Sequence, residues 1–227
     1  KGTKKLFDEY GFLPLKREYN IEFVDLNEQP SSTFFILGQK LEPAPIQVID
    51  AFLDPENYLF SITRPKAHDT VVATLGLKNM VMGSPRCIYS GVNYKPLMHG
   101  HRDHARWLHF NMFVVARHVR PDFTVIDGFE GMEGNGPING VPVKHGIALA
   151  GPDVIAVDRI GAELMGVDIA NMGYLHFCAG DGLGNLDRSK IRIIGSGDPA
   201  KHVVRYKMHE NIEWQLKWRE PFGIVTK

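Results

Sequence analysis

The sequence lacks any apolar run that approaches the roughly 18 to 20 residues needed to cross a bilayer, so we expect no membrane span. It also lacks an excess of either charge, because 26 lysine and arginine residues balance 26 aspartate and glutamate residues. This balance argues against general nucleic-acid binding and against a polybasic membrane-binding role. The nucleotide-binding P-loop, the G-x-S-x-G nucleophile elbow and the metalloprotease H-E-x-x-H motif are absent as well.

Cysteine is scarce, with only Cys87 and Cys178 in 227 residues. An iron–sulfur cluster usually takes about four thiolate ligands, so we predict that this chain holds no such cluster by itself. Free cysteines are mostly buried, and a disulfide needs a Cα geometry that the sequence does not specify. The chain begins with Lys1 and shows no signal peptide. We therefore favour a cytoplasmic location, with a processed, exported form as the alternative.

Apolar segments of strand length and helix length alternate along the chain. Runs of β-branched and aromatic residues predict strands, and apolar residues repeated every three or four positions predict helices. The strands are predicted at residues 21–26, 34–37, 42–54, 58–63, 123–126, 147–150 and 191–194, and the main helices at residues 101–120, 152–165 and 171–179. This order predicts a single α/β domain over residues 1–227, with a largely parallel or mixed sheet flanked by helices.

The most informative stretch is rich in glycine and acidic residues, DGFEGMEGNGPING at residues 127–140. We predict that it forms a loop at the strand ends, where open α/β sheets bind ligands. Asp127 ends the preceding strand, and Glu130 and Glu133 follow three residues apart. Hard divalent cations such as Mg²⁺ bind carboxylate oxygens of this kind. In the alternative interpretation, Asp127 caps a turn, both glutamates are solvated and the glycines only shape the loop.

Two further carboxylates belong to the helix predicted at residues 152–165. Asp153 suits its first turn, where a negative charge is favourable, so capping explains this residue as well as ligand binding does. Asp158 lies among apolar neighbours, and a buried carboxylate must be paired, metal-bound or protonated. In a structural role its partner is Arg159, Lys144 or a backbone group. Otherwise we predict a catalytic or metal-binding role for it, together with the acidic loop.

Three histidines, His99, His101 and His104, form an H-x-H-x-x-H pattern at the start of the helix predicted at residues 101–120. Imidazoles bind Zn²⁺, Ni²⁺ and Fe²⁺, so these residues are the alternative metal ligands. The spacing is not a specific metal signature, however, and histidines at a helix start often fill polar positions.

Basic residues follow the strand predicted at residues 58–63. Lys66 and His68 come directly after it, and Lys78 lies beside Asn79 in an otherwise apolar stretch. A lysine in such a setting either extends its amine to solvent or serves as an anion contact or a base of low pKa. We expect these residues to face the acidic loop. Together they predict a site for a small anionic substrate that a metal ion helps to bind.

Several separated motifs resemble one known family, in the order in which they occur. They are PKAH at 65–68, TLGLKNMVMG at 74–83, DGFEGMEGNGPING at 127–140, GPDVIAVDRIGAELMG at 151–166 and YLHFCAGDGLGNLD at 174–187. Over roughly residues 59–195 the chain is similar to the family catalogued as domain of unknown function 362. Many members carry a ferredoxin-type cluster module and some carry export signals, and neither is seen in this sequence. Members usually have an upstream βα segment, which we expect this chain to lack.

The resemblance implies a site that contains Lys66, His68, Lys78, Asn79, Asp127, Glu133, Gly136, Pro137, Asp153 and Asp158. We predict an enzyme whose polar cleft uses a divalent metal or acid–base catalysis on a small anionic substrate. The predicted catalytic residues are Asp127, Glu133, Asp158 and Lys78, the first three also as metal ligands. The predicted substrate-binding residues are Lys66, His68, Asn79, Gly136 and Asp153.

The alternative is a redox-accessory or scaffold protein with no catalysis of its own, whose Gly-rich loop docks a separate iron–sulfur protein. One equivalent of bound metal in the purified protein would favour the enzyme, whereas iron with acid-labile sulfide would favour the alternative. Association of identical chains is a further expectation that the sequence leaves open.

Overall fold

Strand β8 is the centre of the largest sheet in the computed structural model, which describes residues 3–89, 91–101, 104–195 and 197–222. The strands are β1 (Ser31–Leu37), β2 (Pro43–Ile49), β3 (Phe60–Thr63), β4 (Lys66–Ala67), β5 (Ala73–Thr74), β6 (Ile88–Tyr89), β7 (Val92–Asn93), β8 (Phe123–Asn135) and β9 (Asn139–Gly151). The helices are α1 (Thr3–Glu9), α2 (Gly76–Gly83), α3 (Arg106–Ala116), α4 (Val154–Leu164), α5 (Gly173–Gly180) and α6 (Ile212–Gln215). Short 3₁₀ segments occur between them.

The central sheet is mixed, and β8 pairs along both of its edges. On one edge β8 runs parallel to β3, from Phe60 opposite Phe123 to Thr63 opposite Ile126, and parallel to β4 at Met132. On the other edge it pairs antiparallel with β9, while β5 extends the sheet antiparallel to β4. Two smaller antiparallel pairs, β1 with β2 and β6 with β7, lie outside this sheet. The predicted α/β class with a mixed sheet is confirmed.

The Gly-rich acidic stretch forms a β-hairpin and not the loop that we predicted. β8 continues to Asn135 and β9 starts at Asn139, with a register shift between Gly128 and Glu130. Glycine weakens a strand, but it is used where another group approaches the backbone closely. A β-carbon at Gly131 would collide with the ring and hydroxyl of Tyr206. Glycine here therefore allows close packing against the C-terminal segment.

Helices cover one face of the central sheet. Successive side chains of a strand point to opposite faces, and Thr63 of β3 and Ile126 of β8 are buried on the face that α2 and α4 contact. The alternate residues Phe60 and Ile62 are 58% and 66% exposed. Large side chains that are fully buried in the core include Leu75, Leu77, Leu108, Met112, Ile126, Ile155 and Tyr174.

Some elements differ from their sequence-based predictions. Helix α3 starts at Arg106 and not near His101, and residues 102 and 103 of the predicted helix lie outside the described residues. Residues 191–194 and 21–25 are not part of any strand, because an apolar pattern favours an extended backbone without supplying a strand to pair with. In the part of the chain that the structure describes, no helix is both long and apolar enough to span a membrane.

We expect Ile126→Ala to lower the free energy of unfolding by about 2–4 kcal/mol, because it removes a fully buried side chain and leaves a cavity in the core. Ile62→Ala is the matched control, since Ile62 lies on the open face of the neighbouring strand and should cost less than about 1 kcal/mol. Urea denaturation of both variants measures the two values. Equal losses would contradict the assignment of the two sheet faces.

Candidate functional site

The turn that joins β4 to β5 has a strained backbone. Val72 adopts a φ of 68°, which is an outlier for a β-branched residue. The amide of Ala73 donates to the carbonyl of Val71 at 2.8 Å, which closes a γ-turn of the rare positive-φ type. Strain of this kind persists only where surrounding contacts impose it, and it is concentrated at functional sites. The turn therefore makes residues 66–78 the strongest candidate region for a site.

The C-terminal segment holds this turn in place. Gln215 of α6 is fully buried, accepts a hydrogen bond from the amide of Val72 at 2.6 Å and donates one to the carbonyl of His68 at 2.7 Å. Asn211 donates to the carbonyl of Asp69 at 2.7 Å. Side chains that lie 142 to 147 residues further along the chain thus satisfy the buried backbone groups of the turn, as buried polar groups require.

His68 and Asp69 form a pair within the turn. The Nδ1 atom of His68 lies 2.9 Å from Asp69 Oδ1 and 3.0 Å from the amide nitrogen of Thr70. These contacts need opposite protonation of Nδ1, and we favour Nδ1–H because an unprotonated nitrogen would repel the carboxylate. Burial lowers the pKa of His68 to about 4, so the ring is neutral near pH 7. The hydrogen bond from His68 lowers the pKa of Asp69, which therefore stays ionised.

Lys78 lies in the first turn of α2 and is only 8% exposed. Among the described residues its amine has no hydrogen-bond or ion-pair partner. Burial lowers the pKa of Lys78 to about 8; the negative charge of Asp69 opposes this shift, and the positive charges of Lys66 and Lys95 add to it. A buried ammonium without a partner is costly. Lys78 is therefore suited to receive an anion or to give up its proton near neutral pH.

Asp158 supports α2 from the neighbouring helix α4. Its Oδ1 accepts from the amide of Gly76 at 2.7 Å, and its Oδ2 accepts from the amide of Leu77 at 3.0 Å. The carboxylate thereby caps a helix whose own N-cap residue, Leu75, makes no side-chain cap. Burial raises the pKa of Asp158 to about 7, and the two backbone hydrogen bonds oppose that shift. Of the partners considered from the sequence, a backbone group is the one observed.

The two other predicted catalytic carboxylates lie on the β8–β9 hairpin and have partners of their own. Asp127 accepts from the amide of Phe129 at 3.1 Å, and its Oδ2 lies 3.9 Å from Arg64 Nε. Glu133 accepts from the amide of Lys207 at 2.8 Å. The first contact forms a local turn at the bulge, and the second attaches the C-terminal segment to the end of β8. The structure therefore gives both residues a structural contact.

The described residues contain no group of three or more histidine, cysteine, aspartate or glutamate side chains that could hold a metal ion. The structure therefore does not assemble the predicted ligand set Asp127, Glu133 and Asp158. It does not assemble the alternative set His99, His101 and His104 either. The first set fails because β8 continues as an extended strand, which separates its first two carboxylates by roughly 20 Å.

Three other predicted residues lie near Lys78: Lys66 on β4, His68 directly after β4, and Asn79 next to Lys78 on α2. Lys66 is half-buried in β4, and its charge acts on the pKa of Lys78. The charge of Lys78 in turn adds to the lowering of the pKa of His68, which burial dominates. Asn79 donates to Ser61 Oγ at 3.1 Å and so attaches α2 to β3. The structure brings this basic half of the predicted site together.

Asp153 and Gly136 have roles that the structure makes explicit. Asp153 is the N-cap of α4, accepting from the amide of Ala156 at 3.0 Å and from the amide of Asn185 at 2.8 Å. The capping interpretation of this residue is thus the one observed. A β-carbon at Gly136 would collide with the carbonyl of Ala67. Glycine at this position lets the turn of the β8–β9 hairpin lie directly against β4.

The sequence did not single out Asp69, Asn211, Gln215 or His109. His109 is fully buried, and its Nδ1 accepts from the amide of Tyr174 at 3.1 Å while Nε2 has no partner in the described structure. Burial lowers the pKa of His109 to about 3. Of these four residues, only Asp69 could have been found from the sequence, because it directly follows the predicted site residue His68.

Comparison with known proteins places these residues in a family. The model of the family described as domain of unknown function 362 matches residues 1–163. The chain belongs to this family. A thylakoid-associated protein of Synechocystis sp. (strain ATCC 27184 / PCC 6803 / Kazusa) is 25% identical over 175 residues, which is 75% of this chain and 50% of that protein. The chain thus spans about half the length of the curated relative it matches. No solved structure matches.

We expect Gln215→Ala to destabilise the fold by about 2–4 kcal/mol, because it leaves the amide of Val72 and the carbonyl of His68 buried without partners. The rate of amide hydrogen exchange in residues 68–73 should also increase in this variant. Lys217→Ala, at an exposed position of the same segment, is the control and should change neither quantity. Unchanged exchange in the turn of the Gln215 variant would show that Gln215 does not hold it.

We expect stability to fall as the pH drops from 6.5 toward 4, because His68 binds a proton in the unfolded chain throughout this window but remains neutral in the folded protein. His68→Asn keeps a polar side chain that does not titrate. In this variant the free energy of unfolding should therefore fall less steeply with pH, by up to about 1.4 kcal/mol per pH unit. Denaturant titrations across this pH window measure the slope, with the exposed His202→Asn as control. Parallel slopes in the wild type and the His68 variant would contradict the burial of a neutral ring.

Proposed function

We propose that Lys78 and the His68–Asp69 pair bind a small anionic substrate and transfer a proton to or from it. The observation that carries this proposal is Lys78, whose residue is only 8% exposed and whose amine has no partner in the described part of the chain. Packing does not repay the cost of burying an unpaired ammonium. Buried ionisable groups with perturbed pKa values are concentrated at functional sites, so a functional role accounts for this cost.

An anion is the ligand that this environment favours. Lys66 and Lys95 both act on the pKa of Lys78, so positive charge is concentrated around one buried amine, and Asp69 is the carboxylate that offsets it. A carboxylate or phosphate oxygen would give Lys78 the partner that it lacks. A cavity of about 230 Å³ lies between Asp69 and the hairpin turn at Gly136, and of the three proposed site residues Asp69 lines it.

The two basic groups are suited to opposite parts of an acid–base reaction. With a pKa of about 8, Lys78 is mostly protonated at pH 7, whereas His68, with a pKa of about 4, is neutral. At that pH the two groups thus present one proton donor and one proton acceptor, which an acid–base reaction requires. Asp69 holds Nδ1–H of His68, which leaves Nε2 as the proton acceptor. Lys78 would stabilise the negative charge that develops on the substrate.

The surrounding structure fixes these groups before any ligand binds. Asp158 caps α2 and so positions Lys78, and Gln215 fixes the turn that carries His68. Preorganisation of this kind reduces the entropic cost of reaching a reactive geometry. The proposal uses these side chains alone and assigns no role to a metal ion.

We expect Lys78→Met to raise the free energy of unfolding of the unliganded protein by about 1 kcal/mol, because it replaces a buried charge by an apolar chain of similar length. The same variant should lose stabilisation by inorganic phosphate and short-chain carboxylates. In the wild type a bound anion at a hundred times its Kd would contribute about 2.7 kcal/mol. Thermal unfolding with and without each anion measures both effects.

The control for this experiment is Lys40→Met, which changes an exposed lysine in the turn between β1 and β2. It should leave both the stability and the anion effect unchanged. If Lys78→Met responds to every anion as the wild type does, the amine is not the anion contact and the proposal is wrong. Iron and acid-labile sulfide in the purified protein would instead support the redox-accessory alternative.

A further inference from the structure

A groove runs along the outer side of α4, formed by residues that the proposed site does not use. A cavity of about 450 Å³ lies between the end of β9, helix α4 and the segment at residues 185–194. A second cavity of about 240 Å³ lies further along the same helix. The two cavities share the lining residues Ala148, Leu149, Ile160, Ile193 and Ile194. We call this continuous space the α4 groove.

One wall of the α4 groove is a row of apolar side chains on the helix. On α4 the lining residues Ala156, Ile160 and Leu164 recur every four positions, which places them in one row on the helix. From Asp153 to Leu164 the helix rises about 16 Å. The facing segment contributes Ile193 but forms no strand with β9, so it does not close the space.

One end of the α4 groove is positively charged. Lys190 and Arg192 line it, and within the described residues neither side chain makes a hydrogen bond or an ion pair. Asp153 lines the same end, but its carboxylate already accepts from Ala156 and from both the backbone and side-chain nitrogens of Asn185. Asp187 is the other nearby carboxylate; two hydrogen bonds from Ser189 lower its pKa, and the positive charge of Lys190 adds to this effect. The two cations at this end are therefore available to a ligand.

We propose that the α4 groove binds the anion of a single-chain fatty acid. The carboxylate would bind Lys190 and Arg192, and the alkyl chain would lie against Ile160 and Leu164. The length of the apolar wall, about 16 Å, suits a chain of about twelve carbon atoms. Cations at one end and an apolar wall over the remaining length match an amphiphile with one negative head. A neutral hydrocarbon would leave the cations unused, and a small polar anion would leave the wall exposed.

The proposal is tested by calorimetric titration of the full chain with octanoate, decanoate and dodecanoate below their micelle concentrations. Each methylene that is buried should tighten binding about fourfold. Dodecylamine, with the same chain and the opposite charge, should bind at least about tenfold more weakly than dodecanoate. Affinity that does not rise with chain length, or equal binding of the amine, would overturn the proposal.

Two variants separate the two ends of the groove. Replacing both Lys190 and Arg192 by Glu should weaken dodecanoate at least about tenfold and should favour dodecylamine. Ile193→Glu places a charge in the apolar part and should abolish binding of both ligands. Ile62→Glu is the matched control, because Ile62 is an exposed isoleucine on the open face of the sheet, and it should bind dodecanoate as the wild type does.

Sedimentation of the same proteins distinguishes a ligand groove from a protein interface. We expect the sedimentation coefficient of the wild type to be independent of concentration and unchanged by dodecanoate. A dimer that Ile193→Glu dissociates, in a protein that binds no dodecanoate, would show that a second copy occupies the groove and would overturn the proposal. Because this site shares no residue with Lys78 and the His68–Asp69 pair, failure here would leave the proposed function standing.

Discussion

The carboxylate of Asp158 joins α4 to the amino end of α2, and much of the candidate site depends on this contact. Its two oxygens accept from the amides of Gly76 and Leu77, which have no acceptor in their own helix. The next residue is Lys78, so the cap also sets the position of the buried amine. Removing a buried acceptor leaves its donors unsatisfied at the full cost of their desolvation. A capping contact can thus determine where the amine of Lys78 lies.

Several polar and ionisable side chains are buried in the interior around this contact. Four ionisable residues are buried there: His68, Lys78, His109 and Asp158. Burial shifts each pKa in the direction that favours the neutral form of the side chain. The buried hydroxyl groups of Thr74, Thr124 and Tyr174 have no partner among the described atoms. Each such group lowers the stability that an apolar residue of the same shape would give. These buried polar groups therefore lower the stability of the described interior.

The sequence predicts the class of fold and the basic half of the candidate site, because both depend on local patterns. Strand β3, helix α4 and the residues Lys66, His68 and Lys78 follow from apolar periodicity and from charges placed next to it. The Gly-rich hairpin could not be predicted, because glycine marks a loop as readily as it marks a close approach such as that of Tyr206 to Gly131. The contacts of Gln215 span more than 140 residues, and no local pattern contains that information.

The extent of the family match divides these features into two sets. His68, Lys78 and Asp158 all lie within residues 1–163, which the family model matches. Gln215, Lys190 and Arg192 lie beyond that range. The polar cluster and its cap thus lie in the part that the family model matches, whereas the support from α6 and the charged end of the α4 groove lie outside it. Because α4 supports α2 through Asp158 and lines the groove on its outer side, this helix joins the matched part of the chain to the segment that follows it.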